Sequence, residues 1–356
     1  QRSLGHSQQA QLLRMERKMN KLQSLFVAAL SLLSIVVMPL TTYADSNESA
    51  YSVNANIPDF QKNKNVSYFD LQLDPNQKKV ISIHLANSAK EKAIFNVDVN
   101  NAATNSNGVI DYGQTDLKKD SSAKYVLNQL VTPNNQEIEL QAGESKNVTF
   151  QVQMLKDRFK GIILGGIHIS KKDNVSEKVD GTAIRNKYAY VIGVKLQNDT
   201  DAVTPDLKLN SAKAGLQNSY TTVFANVQNP TPGIISKVNF DAKITKKGSK
   251  DVLYETKKEN MSIAPNTNFD FPISLNKEKI EAGDYTVTID ANEGNTDKTW
   301  HLTTDFTIQS EKAKKINKEA VTEDKGISYL PAIITVGILL LLIIAFLSYK
   351  LLKQKK

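Results

Sequence analysis

Apolar and polar residues alternate one for one through much of this chain, and a side-chain period of two restricts such segments to sheets. In KVNFDAKIT, Val238, Phe240, Ala242 and Ile244 fall on one side of an extended backbone, with Lys237, Asn239, Asp241 and Lys243 on the other. A segment with one dry face needs a second layer to cover it. The same pattern runs through 66–73, 80–85, 94–99, 148–154, 162–169 and 188–196, each bounded by Asn, Asp, Gly or Pro. After a polar, proline-containing break at 197–206 it resumes in TVFANVQNP, KVNFDAKIT, FDFPISL, DYTVTID and TWHLTTDFTI. No convincing amphipathic helix interrupts the series. Short strands separated by turn residues predict an all-β chain of two tandem immunoglobulin-like β-sandwich domains, 45–198 and 207–309, with a linker at 199–206. The 356 residues, 40% of them hydrophobic, suffice for two cores.

Two apolar stretches stand outside the alternation. Residues 25–40, LFVAALSLLSIVVMPL, follow Arg14, Arg17, Lys18 and Lys21 and precede Thr42-x-Ala44, which together read as a signal peptide occupying 1–44. An uncleaved first membrane helix is the alternative, and both readings put the residues from Asp45 onward outside the cell. Met15 or Met19 is the expected initiator, leaving 1–14 without a function. Residues 329–349, YLPAIITVGILLLLIIAFLSY, hold 21 positions without a charge, enough at about 1.5 Å per residue to cross a hydrocarbon core of about 30 Å. Tyr329 and Tyr349 stand at its borders, and Lys350, Lys353, Lys355 and Lys356 come after them in a basic tail, 350–356, that orients the C-terminus inside. The expectation is a single-pass protein of the bacterial cell membrane with its ectodomain outside, facing the cell wall. Residues 310–328, charged with both signs, are expected to form a solvated stalk, partly helical through Ala313, Ile316, Ala320 and Val321.

The formal net charge of +8 is confined to these ends. Residues 1–44 hold five Lys/Arg and one acid and 350–356 hold four Lys, which leaves 36 residues of each sign in 45–349. A body without net charge removes the main support for a nucleic-acid partner. The chain has no cysteine, as is frequent in exported proteins of Gram-positive bacteria, so neither disulfides nor a lipoprotein anchor is available.

Catalytic patterns are lacking. His6, His84, His168 and His301 lie far apart, the last three inside expected strands, and none has a second His or a carboxylate at metal-ligand spacing. There is no HExxH, GxSxG, phosphate-loop or dinucleotide pattern, so the chain is expected to be no enzyme and to need no cofactor or metal. Gly165-Gly166 inside a strand marks a bulge or a close backbone approach, and Trp300, beside Leu302, Phe306 and Ile308, reads as core. The segment ATNSNGVIDYG, 103–113, matches part of an EF-hand loop at Asn105, Asn107, Gly108, Ile110 and Asp111. Ala103 and Gln114 replace its first and last ligands, so we read Asn107-Gly108 as a two-residue type I′ hairpin turn instead. A surface role remains open, with Asn105, Asn107, Asp111 and Tyr112 as candidate glycan-binding residues, the amides and carboxylate bonding hydroxyls and the ring stacking on a sugar.

Taken in order, YSVNANIPDFQ (51–61), YFDLQLDPNQKKVISIHLAN (68–87), NNAATNSNGVIDY (100–112), FKGIILGGIHI (159–169), YAYVIGVKLQ (188–197), MSIAPNTNFDFPISL (261–275) and FTIQSEKAKKINKEAV (306–321) resemble the WxL-interacting proteins of Gram-positive bacteria. The resemblance implies an N-terminal peptidoglycan-binding domain and a C-terminal host-binding domain. It implies as partners peptidoglycan, a WxL-domain protein and a host extracellular-matrix protein, beside the lipid bilayer that the C-terminal helix would meet. The resulting expectation is a membrane-anchored adhesion scaffold. The alternative is a membrane-tethered assembly factor for secreted cell-wall proteins, without glycan affinity of its own.

Overall fold

The structure is a computed structural model that describes residues 51–61, 63–115, 117–172, 188–294 and 296–321, together with 334, 335 and 338. The expected signal peptide and basic tail lie outside the described residues, as does the apolar span 329–349 except for those three positions. Among the described residues no helix is long and apolar enough to cross a membrane. The described body, within the compact unit that starts at Ser49, is all-β but for a short 3-10 turn and one helix.

In the first half, a four-stranded sheet runs in the order β1 (Tyr51–Asn56), β3 (Lys78–Asn87), β9 (Ser145–Gln153), β7 (Val131–Thr132). A five-stranded sheet runs β2 (Phe69–Gln72), β11 (Ala189–Gln197), β10 (Ile163–Lys171), β4 (Ala93–Asn101), β8 (Asn135–Leu140), with β2 parallel to β11 and the other pairs antiparallel. Alternate residues of both sheets close on one core, where Phe69, Phe95, Phe150, Ile83 and Leu85 are fully or almost fully buried. Each such side chain contributes roughly 1.5–3 kcal/mol by leaving water. Between β4 and β8 the chain makes a small hairpin of β5 (Ala103–Thr104) and β6 (Ile110–Asp111).

In the second half, the sheet β12 (Lys208–Gln217), β13 (Tyr220–Asn229), β16 (Thr267–Ser274) packs on the sheet β15 (Val252–Ile263), β14 (Ile235–Lys246), β17 (Gly283–Glu293), β18 (Thr299–Ile308). Val238, Phe240, Ala242 and Ile244 of β14 point inward as their alternation requires, and Phe240 meets Phe271 of the opposite sheet edge to face at 5.3 Å. Trp300 is buried in this core.

One expectation needs correction, and one alternative is decided. The helix α1 (Ser310–Glu319) forms where the helical spacing predicts it, but it does not begin a solvated stalk. Ala313 and Ile316 are buried in the second core, and the Asn317 amide clamps Ile280 by donating to its carbonyl at 2.9 Å and accepting from its N–H at 2.8 Å. Its apolar stripe needed a partner, and the adjacent sandwich supplied one. At Gly165 and Gly166 there is no bulge, because β10 keeps an unbroken register with both β4 and β11. The close approach is present: a Cβ on Gly165 would run into the Asn100 carbonyl and the Leu127 side chain.

Candidate functional site

The hairpin tip answers the question its sequence raised. The Gly108 N–H donates to the Asn105 carbonyl at 2.9 Å, and the Asn105 N–H donates to the Val109 carbonyl at 2.9 Å. Of the two residues expected at positive φ, only Gly108 has it, at 68°. The loop is therefore a three-residue turn with a glycine bulge, not the two-residue type I′ turn, because one left-handed residue suffices when the loop is one residue longer. The Asn105 side-chain oxygen accepts from the N–H groups of Asn107 and Val109, and the Asp111 carboxylate accepts from the Gly113 N–H and the Gln114 amide. These oxygens satisfy donors of the hairpin and of the residues that follow it.

The tip leans on the second sandwich. Gly108 lies against Met261, and its carbonyl accepts from the Ser262 N–H at 2.8 Å. Thr104 Oγ1 accepts from the Ala264 N–H at 2.9 Å and lies 3.1 Å from Thr267 Oγ1. Asp120 completes the seam by accepting from Gln228 Nε2 at 2.7 Å and from the Asn268 amide, while Ser122 of its own loop donates from both N–H and Oγ. Burial pushes the Asp120 carboxyl upward, but these donors outweigh it and hold the group below the usual carboxylate range. A cleft of about 250 Å³ opens beside them, lined by Asp120, Tyr125, Asn266 and Asn268 among others.

Tyr112 is separated from the tip. Its carbonyl is held by the Asn100 amide at 2.8 Å, which turns its side chain onto the outer face of the five-stranded sheet. There Gly166 of β10 pairs with Gly193 of β11. Cβ and Cγ of Tyr112 lie 3.0 and 3.1 Å from the place a Cβ would take on Gly166, and those of Tyr68 lie 3.5 and 4.0 Å from that of Gly193. Bare backbone at two paired positions is what lets both tyrosines lie across the strands. Burial, and then the neighbouring Tyr68, push the Tyr112 hydroxyl up from its ordinary value. The next row along the same face pairs Val191 with His168 and His168 with Asp98, and the row beyond pairs Ser170 with Asn96. His168 Nδ1 is closed off from solvent without a hydrogen-bond partner, and burial raises the Asp98 carboxyl while His168 opposes the rise.

The site residues named from the sequence therefore divide in two: Asn105 and Asn107 at a tip engaged with the second sandwich, Tyr112 on a sheet face, with Asp111 between them. Tyr68, Val191, Asp98 and His168 escaped sequence reasoning, since strand register and not sequence proximity unites them. The same holds for His301, whose Nδ1 sits 2.6 Å from Asp290 Oδ1 on the neighbouring strand. Among the described residues no third His, Cys, Asp or Glu joins either pair to make a metal cluster.

The fold is that of an all-β protein of two sandwiches with a polar seam between them. The model for the peptidoglycan-binding domain of WxL-interacting proteins matches residues 51–171, and that for their host-binding domain matches 179–318. The chain belongs to the WxL-interacting protein family. No curated relative matches it. Among solved structures it is similar to the class 5 fimbrial chaperone CfaA (15% identity, 72% of this chain and 100% of that one, TM-score 0.26) and to the E. coli chaperone DraB (13%, 70% and 98%, 0.26). A chaperone–tip adhesin complex of CFA/I fimbriae is also similar (16%, 66% and 93%, 0.25). Superpositions this loose establish nothing about what the chain does.

Proposed function

We propose that this protein is a non-catalytic binding scaffold of the bacterial surface, anchored in the membrane by 329–349 after export directed by 1–44. In this reading both sandwiches are immunoglobulin-like, the first meets wall peptidoglycan, and the second meets a protein, either a WxL-domain protein or one from the host. The observation that carries the reading is the pair of domain-model matches, one over 51–171 within the first sandwich and one over 179–318, which takes in the second sandwich together with β11 of the first. The body's balanced charge supports it too, since adhesion to a neutral glycan needs no basic field.

Retention of the full-length protein on purified sacculi tests the glycan half, with retention above that of an unrelated sandwich protein expected. Release of soluble product from wall material would overturn the non-catalytic part. Deleting the gene tests the role: an adhesin leaves secreted wall proteins in place, whereas mislocalised clients would identify an assembly factor.

A further inference from the structure

We propose that the outer face of the five-stranded sheet, with Tyr68 and Tyr112 lying across the Gly166–Gly193 pair, is the surface that receives a neutral N-acetylhexosamine stretch of the glycan strand. This rests on the reading of the first sandwich as the peptidoglycan-binding half, and it commits to the sugar backbone rather than to anionic wall polymers.

Three features of the face carry it. Sugar rings present C–H faces that stack on aromatic and aliphatic surface, and Tyr68 (37% exposed) and Val191 (39% exposed) flank the glycine floor with apolar surface open to solvent. Sugar hydroxyls and acetamides need polar groups at fixed places, and the strand register sets Asp98, Ser170 and Asn96 along the same face within two rows of the tyrosines. Asp98 is half-buried and burial disfavours its charge, so a hydroxyl brought to it by a ligand would find an acceptor at the edge of the floor. The third feature is charge. Lys195 is held by Asp70 at 2.9 Å and Lys172 by Glu137, so these two lysines are already paired with carboxylates. Among the described residues they offer a phosphate-rich polymer little free positive charge, whereas an uncharged ring does not depend on it.

The test uses the full-length protein in detergent and two probes: sacculi stripped of their anionic polymers by acid, and untreated sacculi. Two variants change the face at exposed positions, Tyr68→Ala and Val191→Glu, and Val80→Glu on the opposite sheet (Val80 59% exposed) controls for added surface charge. The parent and Val80→Glu are expected to bind both preparations alike, and Tyr68→Ala and Val191→Glu to bind each at least about tenfold more weakly, the loss of one good stacking contact. If the parent binds but both face variants bind equally well, the face is refuted and the glycan-binding reading stands. If the parent binds untreated sacculi and loses them after stripping, the ligand is the anionic polymer and the neutral-sugar assignment falls. If the parent binds neither, the reading on which this rests fails with it. Circular dichroism and thermal melting of each variant separate lost binding from lost fold.

Discussion

Replacing Asp120 with alanine removes the acceptor that two side chains of the second sandwich share, and so tests whether the seam couples the two sandwiches. In the parent, Gln228 and Asn268 donate to this carboxylate across the seam, and Ser122 donates to it twice within the loop. A hydrogen bond to a charged group contributes about 1.5–3 kcal/mol. Water reaches this half-buried site and replaces part of what is lost, so we expect about 1–3 kcal/mol for the variant. For a folded body of this size that corresponds to a fall in melting temperature of roughly 2–12 °C. The pH dependence gives a second reading. The Asp120 carboxyl is held low in the folded protein, so its contribution is complete above the unfolded value of about 3.9 and disappears as pH falls through the lower folded one. Calorimetry of parent and Asp120→Ala from pH 7 down to pH 3 should show the gap close only in that acid window. A variant within about 0.5 kcal/mol of the parent at pH 7, or a gap that persists unchanged in acid, would refute the reasoning.

Gly108→Ala and Gly143→Ala place a Cβ at nearly the same left-handed φ, 68° and 72°, but Met261 blocks the first and nothing lies within 4 Å of the second. Urea midpoints should show about 1 kcal/mol lost at Gly143 from backbone strain alone, and roughly 1–3 kcal/mol more at Gly108; equal losses would mean the tip does not press on the second sandwich. Asn317→Ala removes both bonds between α1 and Ile280, so about 1–2 kcal/mol of local stability should go, seen as faster amide exchange across the helix with the rest of the second sandwich unchanged. For Asp98 the sign is reversed: burial raises its folded pKa, so its ionisation weakens the fold above that value and the cost vanishes as pH falls through it. Asp98→Asn should therefore melt at or above the parent temperature at pH 7 and lose that advantage in acid, and a variant that melts lower at pH 7 than at pH 4 relative to the parent would contradict this.

Periodicity marks every strand that has a neighbour on both sides in the two sandwiches: β3, β9, β11, β10, β4, β13, β14 and β17. The strands it does not mark, β1, β7, β8, β12 and β15, are all sheet edges. In β8 and β15 polar and charged side chains along the open edge erase the alternation, whereas the short edge β1 keeps it and the edges β2, β16 and β18 are marked. In β15 the run from Glu255 through Thr256, Lys257, Lys258 and Glu259 to Asn260 is polar at every step, and its fully buried side chains, Met261 and Ile263, come only at its end. The helix α1 erred in the opposite sense. Its spacing was legible, but a stripe of only two buried side chains among ten mostly charged residues does not announce whether it faces a core or water.

The candidate face was legible in fragments that only strand register could assemble. Gly165-Gly166 signalled that something must approach β10 closely, and Tyr112 stood out as an aromatic beside polar residues, yet nothing in the linear order says that Tyr112 is what crosses Gly166. Gly193, which gave no signal by itself, becomes informative once paired with Gly166, because two bare positions side by side on one face make a floor where one alone makes a gap. The grouping of Asn105, Asn107, Asp111 and Tyr112 is divided by the fold for the complementary reason. The bulged turn places the side-chain oxygens of Asn105 and Asp111 on N–H groups of the hairpin and of the residues that follow it and presses Gly108 onto Met261, so residues close in sequence meet different neighbours in the fold. The hairpin thus engages the second sandwich at its tip and lays Tyr112 on the sheet face at its base, two neighbourhoods joined by the two-residue strand β6.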